Sequence, residues 1–220
     1  METEQFHEEI NENLVNEKTP KENEQKTEEN LEENEGETEQ QEQQISVKIL
    51  VLGPTKSGKT SISNYLADSQ DAVSKDYRPT QGVRIVEFES NQLELDGERV
   101  ELWDCSGDRK FESCWPAIRY RCDGVIFVCN PEINKGEDLL TWYNEFALKN
   151  GIRLRNLFIL LHHTSEQTND SALAEFHLPT EMAGINMIPS NIDKEGDELR
   201  LAFNNFLCDI IADVYANTKK

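Results

Sequence analysis

The chain has 220 residues and a formal net charge of −21, from 43 acidic and 22 basic residues. This excess of acid argues against electrostatic binding to nucleic acid or to an anionic membrane surface. No run of residues approaches the roughly 18 apolar positions of a transmembrane segment, and the first ten residues lack the basic and apolar parts of a signal peptide.

Residues 1–44 differ in composition from the rest of the chain. They contain sixteen Glu, no Asp and three Lys, a net charge of −13, and only six apolar residues. Such a segment buries too little apolar surface to offset the entropy lost on ordering. We therefore predict a disordered acidic tail at 1–44 and one folded domain at 45–220. Within the tail, Phe6, Ile10 and Leu14 recur every four residues, which fits either a short docking helix or chance.

Strand patterns recur throughout the predicted domain. The first is a β-branched apolar run that ends in Gly53, and the next two surround a turn at Asp96 and Gly97. Two later runs are continuously apolar, as expected for parallel strands covered on both faces, and a sixth is weaker. The six predicted strands read SVKILVLG, GVRIVEFE, RVELWD, DGVIFVCN, NLFILLH and GINMIPS.

Helical patterns alternate with these strands. The segment SISNYLADS follows the first strand, and GEDLLTWYNEFALKN places Leu139, Leu140, Tyr143 and Phe146 on one face. A final amphipathic helix spans about residues 193–216. Alternation of strands and helices predicts an α/β fold with a mostly parallel six-stranded sheet, one antiparallel pair, and helices on both faces.

The segment GPTKSGKT, residues 53–60, matches the phosphate-loop pattern G-x-x-x-x-G-K-[ST] between a predicted strand and a predicted helix. The backbone N–H groups of such a loop and the helix N-terminus face a polyphosphate. Lys59 would reach the β- and γ-phosphates, and the Thr60 hydroxyl would ligate Mg²⁺. The predicted nucleotide-binding residues of this segment are Gly53, Lys56, Ser57, Gly58, Lys59, Thr60 and Ser61.

Three further residues complete a set that is typical of a GTPase switch. Thr80 precedes the second strand, and in such a switch it closes on Mg²⁺ and the γ-phosphate. Asp104 ends the third strand and would hold Mg²⁺ through water, while the Gly107 N–H would contact the γ-phosphate. The set predicts Thr60, Thr80 and Asp104 as the metal site, and it favours a GTPase over a nucleotide kinase or an ATPase motor.

Together, VKILVLGPTKSGKTSISNYL, YRPTQGVRIVEFE and ELWDCSGDRKFESCWPAIRYRCDGVIFVCN resemble Rab-type small GTPases from about residue 46 to the C-terminus. The long switch segment and the LLHH that ends the fifth strand more narrowly resemble the Rab-like subunit family of intraflagellar transport complex B. The resemblance implies a small-GTPase fold, GTP or GDP and Mg²⁺ as cofactors, and a location in the cytoplasm and the cilium or flagellum. It also implies partners among the coiled-coil subunits of that complex, engaged through the switch face.

The chain departs from the Rab pattern at the residue that orients the attacking water in GTP hydrolysis. Rabs carry a Gln after the second Gly of the switch set, and it orients the attacking water. Here Asp108 follows Gly107, and its charge would face the phosphate. We therefore assign no catalytic residue, and we expect slow or absent intrinsic hydrolysis.

A second departure from the Rab pattern lies in the motif that recognises the guanine base. Rabs carry N-K-x-D after the fifth strand, and the matching residues here are His162, His163, Thr164 and Ser165. Ser165 is too short and uncharged for the contact that the Asp makes with guanine, so the sequence leaves guanine and adenine both open. His163 either stacks on the base or caps the strand end, and Ser190 is the candidate for a backbone contact to the nucleotide.

The chain ends in YANTKK, so no C-terminal prenylation site and no lipid anchor are expected. Five cysteines without a C-x-x-C pair fit free thiols in a reducing compartment. Trp115 in the switch segment is either an interface anchor or a core residue of its own helix. The favoured function is a nucleotide-stabilised adaptor in ciliary transport. The alternatives are an active GTPase that needs an accessory activator and a nucleotide-free scaffold.

Overall fold

The structure, a computed structural model, describes residues 45–69, 78–90, 97–163 and 170–218, and the statements below concern these ranges. They belong to one compact unit, residues 42–220. The tail predicted at 1–44, the turn residue Asp96 and the base-specificity position Ser165 lie outside the described residues. Within the described ranges, no helix combines the length and the apolar character needed to cross a membrane.

The predicted six-stranded sheet is confirmed. Its strands lie in the order β2-β3-β1-β4-β5-β6; β2 runs antiparallel to β3, and the other pairs are parallel. Each strand lies within one or two residues of its predicted bounds. The strands are β1 (Ser46–Leu52), β2 (Val83–Glu89), β3 (Arg99–Cys105), β4 (Gly124–Cys129), β5 (Leu157–His162) and β6 (Asn186–Ser190).

Helices connect the strands and cover both faces of the sheet, as predicted. The segment predicted as a helix after β4 starts as a 3₁₀ turn, Gly136–Leu139, and ends as a π-helical turn, Tyr143–Leu148. The α-helices are α1 (Lys59–Leu66), α2 (Trp115–Arg119), α3 (Leu140–Trp142), α4 (Asp170–Glu175) and α5 (Ile192–Thr218). Further 3₁₀ turns are Arg109–Cys114, Leu154–Asn156 and Thr180–Met182.

Two apolar clusters, one on each face, hold the layers together. Leu50, Leu52 and Phe127 face α2 and the helical segment after β4. The alternate residues of the same strands, among them Ile49 and Val51, face α1 and α5. β4 and β5 are buried along their whole length, which explains why their sequences are continuously apolar. With both faces covered, the chemistry is restricted to the strand ends and the connecting loops.

Asp213 links the C-terminal helix α5 to the segment that precedes β5. This carboxylate is 3% exposed in the last third of α5. It accepts a hydrogen bond from Arg153 Nη1 at 2.5 Å and one from Arg155 Nε at 3.0 Å. Both arginines belong to the segment that enters β5, so this cluster sets the position of α5 against the sheet.

We expect Asp213→Ala to lower the free energy of unfolding by about 1–3 kcal/mol, since hydrogen bonds to a charged group are lost but the arginines stay half-exposed to water. Asp209→Ala is the matched control, because Asp209 is exposed one turn earlier on the same helix. Urea unfolding of both variants measures the difference. Equal stability of the two variants would contradict the assigned role of Asp213.

Candidate functional site

The predicted phosphate loop connects β1 to α1. Its backbone adopts positive φ at Gly53 (142°), Lys56 (62°) and Gly58 (94°). A Cβ on Gly53 would lie 2.1 Å from the Val128 carbonyl oxygen, so only glycine fits there. Gly58 is the N-cap of α1 and supplies no side-chain hydrogen bond. The first N–H groups of α1 are therefore available to an anion.

Lys59 is a buried cation in the loop. Its Nζ donates to the Pro54 carbonyl at 2.6 Å and lies 3.4 Å from Ser57 Oγ. Burial lowers the pKa of Lys59 to about 8, and the charge of Asp104 opposes this shift. A bound polyphosphate would supply the counter-charge that offsets this desolvation.

Thr60, Thr80 and Asp104 converge on one point, as their spacing predicted. Asp104 Oδ2 accepts from Thr60 Oγ1 at 2.7 Å and from Thr80 Oγ1 at 3.3 Å, and the two hydroxyl oxygens lie 3.2 Å apart. Burial raises the pKa of Asp104, and the Thr60 hydrogen bond and the charge of Lys59 oppose the increase. Asp104 Oδ1 is buried and has no hydrogen-bond partner among the described residues.

This oxygen set fits Mg²⁺. The cation prefers hard oxygen ligands and keeps several waters, so one carboxylate and two hydroxyls suffice beside a phosphate. The unpartnered Asp104 Oδ1 is a free acceptor for a metal-bound water. Arg84 lies on the other side of the carboxylate, with Nε 3.7 Å from Asp104 Oδ2.

Gly107 lies against the phosphate loop. A Cβ on it would come within 2.5 Å of the Thr55 backbone nitrogen and 2.6 Å of the Gly53 oxygen. The missing side chain therefore allows the segment after β3 to touch the loop that holds the phosphates. The role of the Gly107 N–H at the γ-phosphate stays a prediction.

Asp108 has a local structural task. It is the N-cap of the 3₁₀ turn Arg109–Cys114, where its Oδ1 accepts from the Lys110 backbone N–H at 3.0 Å. Its Oδ2 lies 3.0 Å from Lys110 Nζ. The hydrogen bond from the Lys110 backbone lowers the pKa of Asp108. The charge expected to face the phosphate is thus paired with Lys110 on an exposed surface.

His162 ends β5 and packs against Gly58. A Cβ on Gly58 would meet the His162 ring at 2.2 Å, so the phosphate loop and the end of β5 fit each other only because position 58 is glycine. His162 Nδ1 lies 3.2 Å from the Ser190 carbonyl and 3.3 Å from Ser190 Oγ; the nearer carbonyl can only accept, which favours the tautomer with the proton on Nδ1. Nε2 is then an acceptor, and it has no partner among the described residues. Burial lowers the pKa of His162 to about 4.

Ser190 and Asn191 hold the two histidines in place. The Ser190 carbonyl accepts from the His163 backbone N–H at 3.1 Å, and the Asn191 amide nitrogen lies 3.3 Å from His163 Nδ1. His163 is 3% exposed, and its Nε2 has no partner among the described residues. Both histidines, together with Ser61, line a cavity of about 480 Å³ next to the phosphate loop. The predicted residues Ser61, His163 and Ser190 are therefore brought to one side of the loop.

The interpretation of Trp115 as an exposed interface anchor is wrong for this structure. Trp115 is 7% exposed, and its ring centroid lies 5.3 Å from that of Phe146 in the core. Within α2, Trp115 and Ile118 face the core, while Pro116 and Ala117 face solvent. Cys105, beside Asp104, is also a core residue: burial raises the pKa of its thiol. It therefore stays a thiol with structural contacts.

Two residues at the site, Arg84 and Asn191, are not predicted by any sequence motif. Arg84 is brought beside Asp104 by the antiparallel register of β2 and β3, in which the two residues are directly paired. That pairing could have been derived from the predicted hairpin. Asn191 directly follows the predicted Ser190, but its contact with His163 requires the parallel alignment of β5 and β6, which no local pattern specifies.

Comparisons with known proteins agree with this geometry. The family model described as "Ras of Complex, Roc, domain of DAPkinase" matches residues 48–164. The chain is similar to "Intraflagellar transport protein 22 homolog" of Danio rerio, with 40% identity over 169 residues, 73% of this chain and 88% of the relative.

Two solved structures are also similar. The chain resembles one in the T. brucei IFT22/74/81 GTP-bound crystal structure, with a TM-score of 0.65 and 34% identity over 78% of this chain and 98% of the other. It resembles the T. brucei IFT22 GDP-bound crystal structure with a TM-score of 0.61 and 34% identity, over 76% and 97% of the two chains.

The burial of His162 predicts acid sensitivity. With a pKa of about 4 when folded and the ordinary value of 6.5 when unfolded, its contribution to stability is complete above pH 6.5 and is lost as the pH falls towards 4. Between pH 7.5 and 5 this loss amounts to about 2 kcal/mol of unfolding free energy.

We expect His162→Gln to reduce the difference in unfolding free energy between pH 7.5 and pH 5 by that amount. The exposed control His177→Gln should leave this difference unchanged. Urea unfolding at both pH values, without nucleotide, measures the difference. The assignment fails if His162→Gln keeps the wild-type difference between the two pH values.

Proposed function

Because the chain belongs to the family of intraflagellar transport protein 22 homologues, we propose that it is a small-GTPase subunit of an intraflagellar transport complex, which binds GTP or GDP with Mg²⁺. The convergence of Thr60, Thr80 and Asp104 beside Lys59 carries this proposal. The contacts within the domain compensate Asp104 and Lys59 only in part, since burial still raises the pKa of Asp104 and lowers that of Lys59. A ligand with phosphates and Mg²⁺ would supply the remaining compensation. A nucleotide-free scaffold would have no use for these two buried groups.

The relatives support the choice of nucleotide. The similar T. brucei structures are described as GTP-bound and GDP-bound. In this chain, Lys59 and the N-terminus of α1 would hold the phosphates, and Thr60, Thr80 and Asp104 would hold Mg²⁺. The bound metal would neutralise charge between the β- and γ-phosphates. The cavity beside the loop would receive the base.

The partners would be other subunits of the transport complex in the cytoplasm and the cilium or flagellum. The similar T. brucei structure contains IFT22 together with the subunits 74 and 81. We propose that coiled-coil subunits dock on the switch face, the surface formed by β2, β3, the turn Arg109–Cys114, the end of α2 with Tyr120, and Lys48 of β1.

Trp115 is buried, so other apolar groups must provide the contact on this face. Ile85 is 46% exposed and Tyr120 is 67% exposed. Between them Lys48 Nζ lies 3.5 Å from the Trp103 ring centroid. Exposed aromatic and aliphatic groups of this kind suit the apolar stripe of a helix.

Nucleotide binding should depend on Lys59. At a GTP concentration about one hundred times Kd, ligand linkage adds about 2.7 kcal/mol, or roughly 5–10 °C in Tm for a domain of this size. Lys59→Ala should abolish this shift, because the phosphates lose their buried cation. Lys149→Ala, which removes an exposed lysine elsewhere, should keep it.

Thermal unfolding with and without GTP and Mg²⁺ tests the proposal. Thr60→Ala should lose the part of the shift that depends on Mg²⁺. A wild-type Tm that is the same with and without nucleotide and metal would overturn nucleotide binding.

Hydrolysis should be slow. Unassisted small GTPases turn over at about 10⁻⁴ s⁻¹, and Asp108 is held by Lys110 rather than aimed at a water. We expect a single-turnover rate no faster than about 10⁻⁴ s⁻¹ for the purified chain, and Asp108→Gln should raise it or leave it unchanged.

Asp108→Asn is the matched control, because asparagine caps the turn as well as aspartate but carries no charge. It should leave the rate unchanged. If the wild type is much faster, or if both variants slow cleavage, Asp108 is catalytic and the protein is an active GTPase rather than an adaptor.

A further inference from the structure

The cavity beside the phosphate loop contains two described carboxylates, and they differ in their partners. Asp68 is engaged by Arg200, whose Nη2 lies 2.7 Å from Oδ1 and whose Nη1 lies 3.2 Å from Oδ2. Asp193 lines the same cavity, and its carboxylate has no ion pair or hydrogen bond with the described residues. Asp193 is therefore the available acidic group of this cavity.

The backbone of Asp193 is held in place, and its side chain is exposed. Its backbone N–H donates to Asn191 Oδ1 at 3.1 Å, and it lies in the first turn of α5. The same Asn191 places its amide nitrogen 3.3 Å from His163 Nδ1. One asparagine thus connects the backbone of Asp193 to the ring of His163 across the carboxyl ends of β5 and β6.

His163 supplies a second, independent sign of a ligand. It is 97% buried, it lines the cavity, and its Nε2 has no partner among the described residues. Because the Asn191 amide donates to Nδ1, the neutral ring carries its proton on Nε2. A buried donor without a partner costs free energy, which a ligand acceptor would recover.

We infer that Asp193 is the residue that selects guanine, by accepting hydrogen bonds from the N1–H and the 2-amino group of the base, with His163 as donor to O6 or N7. This inference rests on the proposed nucleotide binding. It assigns the recognition of the base to the start of α5, while the segment after β5 presents histidines. A carboxylate matches guanine because its two oxygens accept from two adjacent donors.

The experiment measures base preference in the full-length chain. Unlabelled GTP, ITP and XTP displace a fluorescent GDP analogue from the wild type and from Asp193→Asn. Inosine lacks the 2-amino group, and xanthine carries an oxygen in its place. The wild type should prefer GTP over ITP by about tenfold or more, the discrimination of one bidentate contact.

Asp193→Asn should reduce that preference at least fivefold and tighten XTP binding at least tenfold, since the asparagine amide donates to the new oxygen. Asp193→Ala should lose the preference for GTP over ITP without gaining XTP. Asp68→Asn is the matched control in the same cavity and should keep the wild-type ratios. Ratios between nucleotides do not respond to a general loss of stability.

The outcomes separate this inference from the function on which it rests. A wild type that binds no purine nucleotide overturns both. A wild type that binds GTP, together with an Asp193→Asn variant whose nucleotide ratios are unchanged, overturns only the role of Asp193. Glu166 belongs to the segment after β5 that lies outside the described residues. A change of preference in Glu166→Gln but not in Asp193→Asn would also overturn the inference and would assign base recognition to that segment.

Discussion

The buried carboxylate of Asp104 is the constraint on which the site depends. An anion at the end of β3, 0% exposed, must have its charge compensated. Thr60 and Thr80 donate to Oδ2, and Arg84 approaches from β2, so three separate segments are drawn to one point. These contacts satisfy Oδ2 and leave Oδ1 without a partner among the described residues. The fold therefore stabilises a charged site that is complete only with a further ligand.

The phosphate loop and the adjacent cavity, where the proposed nucleotide would place its phosphates and its base, are formed by different kinds of contact. At the phosphate end, glycines allow backbone segments to approach closely, as Gly53 does against Val128 and Gly107 against Thr55. At the base end, side chains form the cavity, and His162 occupies the space that Gly58 leaves. His162 therefore packs against the phosphate loop and also lines the cavity, so a larger residue at position 58 would disturb both.

The strands and the convergence of Thr60, Thr80 and Asp104 could be predicted from sequence because both depend on local patterns. Six apolar runs specify the strands, and the carboxyl ends of parallel strands meet at one edge, so Thr60 and Asp104 had to lie close together. Trp115 could not be assigned, since a five-residue helix has no clear periodicity and its inward face depends on Phe146. The pairing of Asp108 with Lys110 and the Asn191 contact with His163 depend on side-chain geometry that no spacing encodes.

A nucleotide-holding protein and a hydrolase need the same groups to bind the phosphates, and they differ only in the group that orients water. In this chain Asp104 and Lys59 are buried and linked through the site, whereas Asp108 is half-exposed and caps its own helical turn. A substitution at Asp108 can therefore change hydrolysis without disturbing Asp104, Thr60 or Lys59. Under the proposed function, this physical separation would allow a bound nucleotide to act as a structural ligand that holds the switch segment against the phosphate loop. The surface presented to a partner subunit would then depend on the bound nucleotide rather than on turnover.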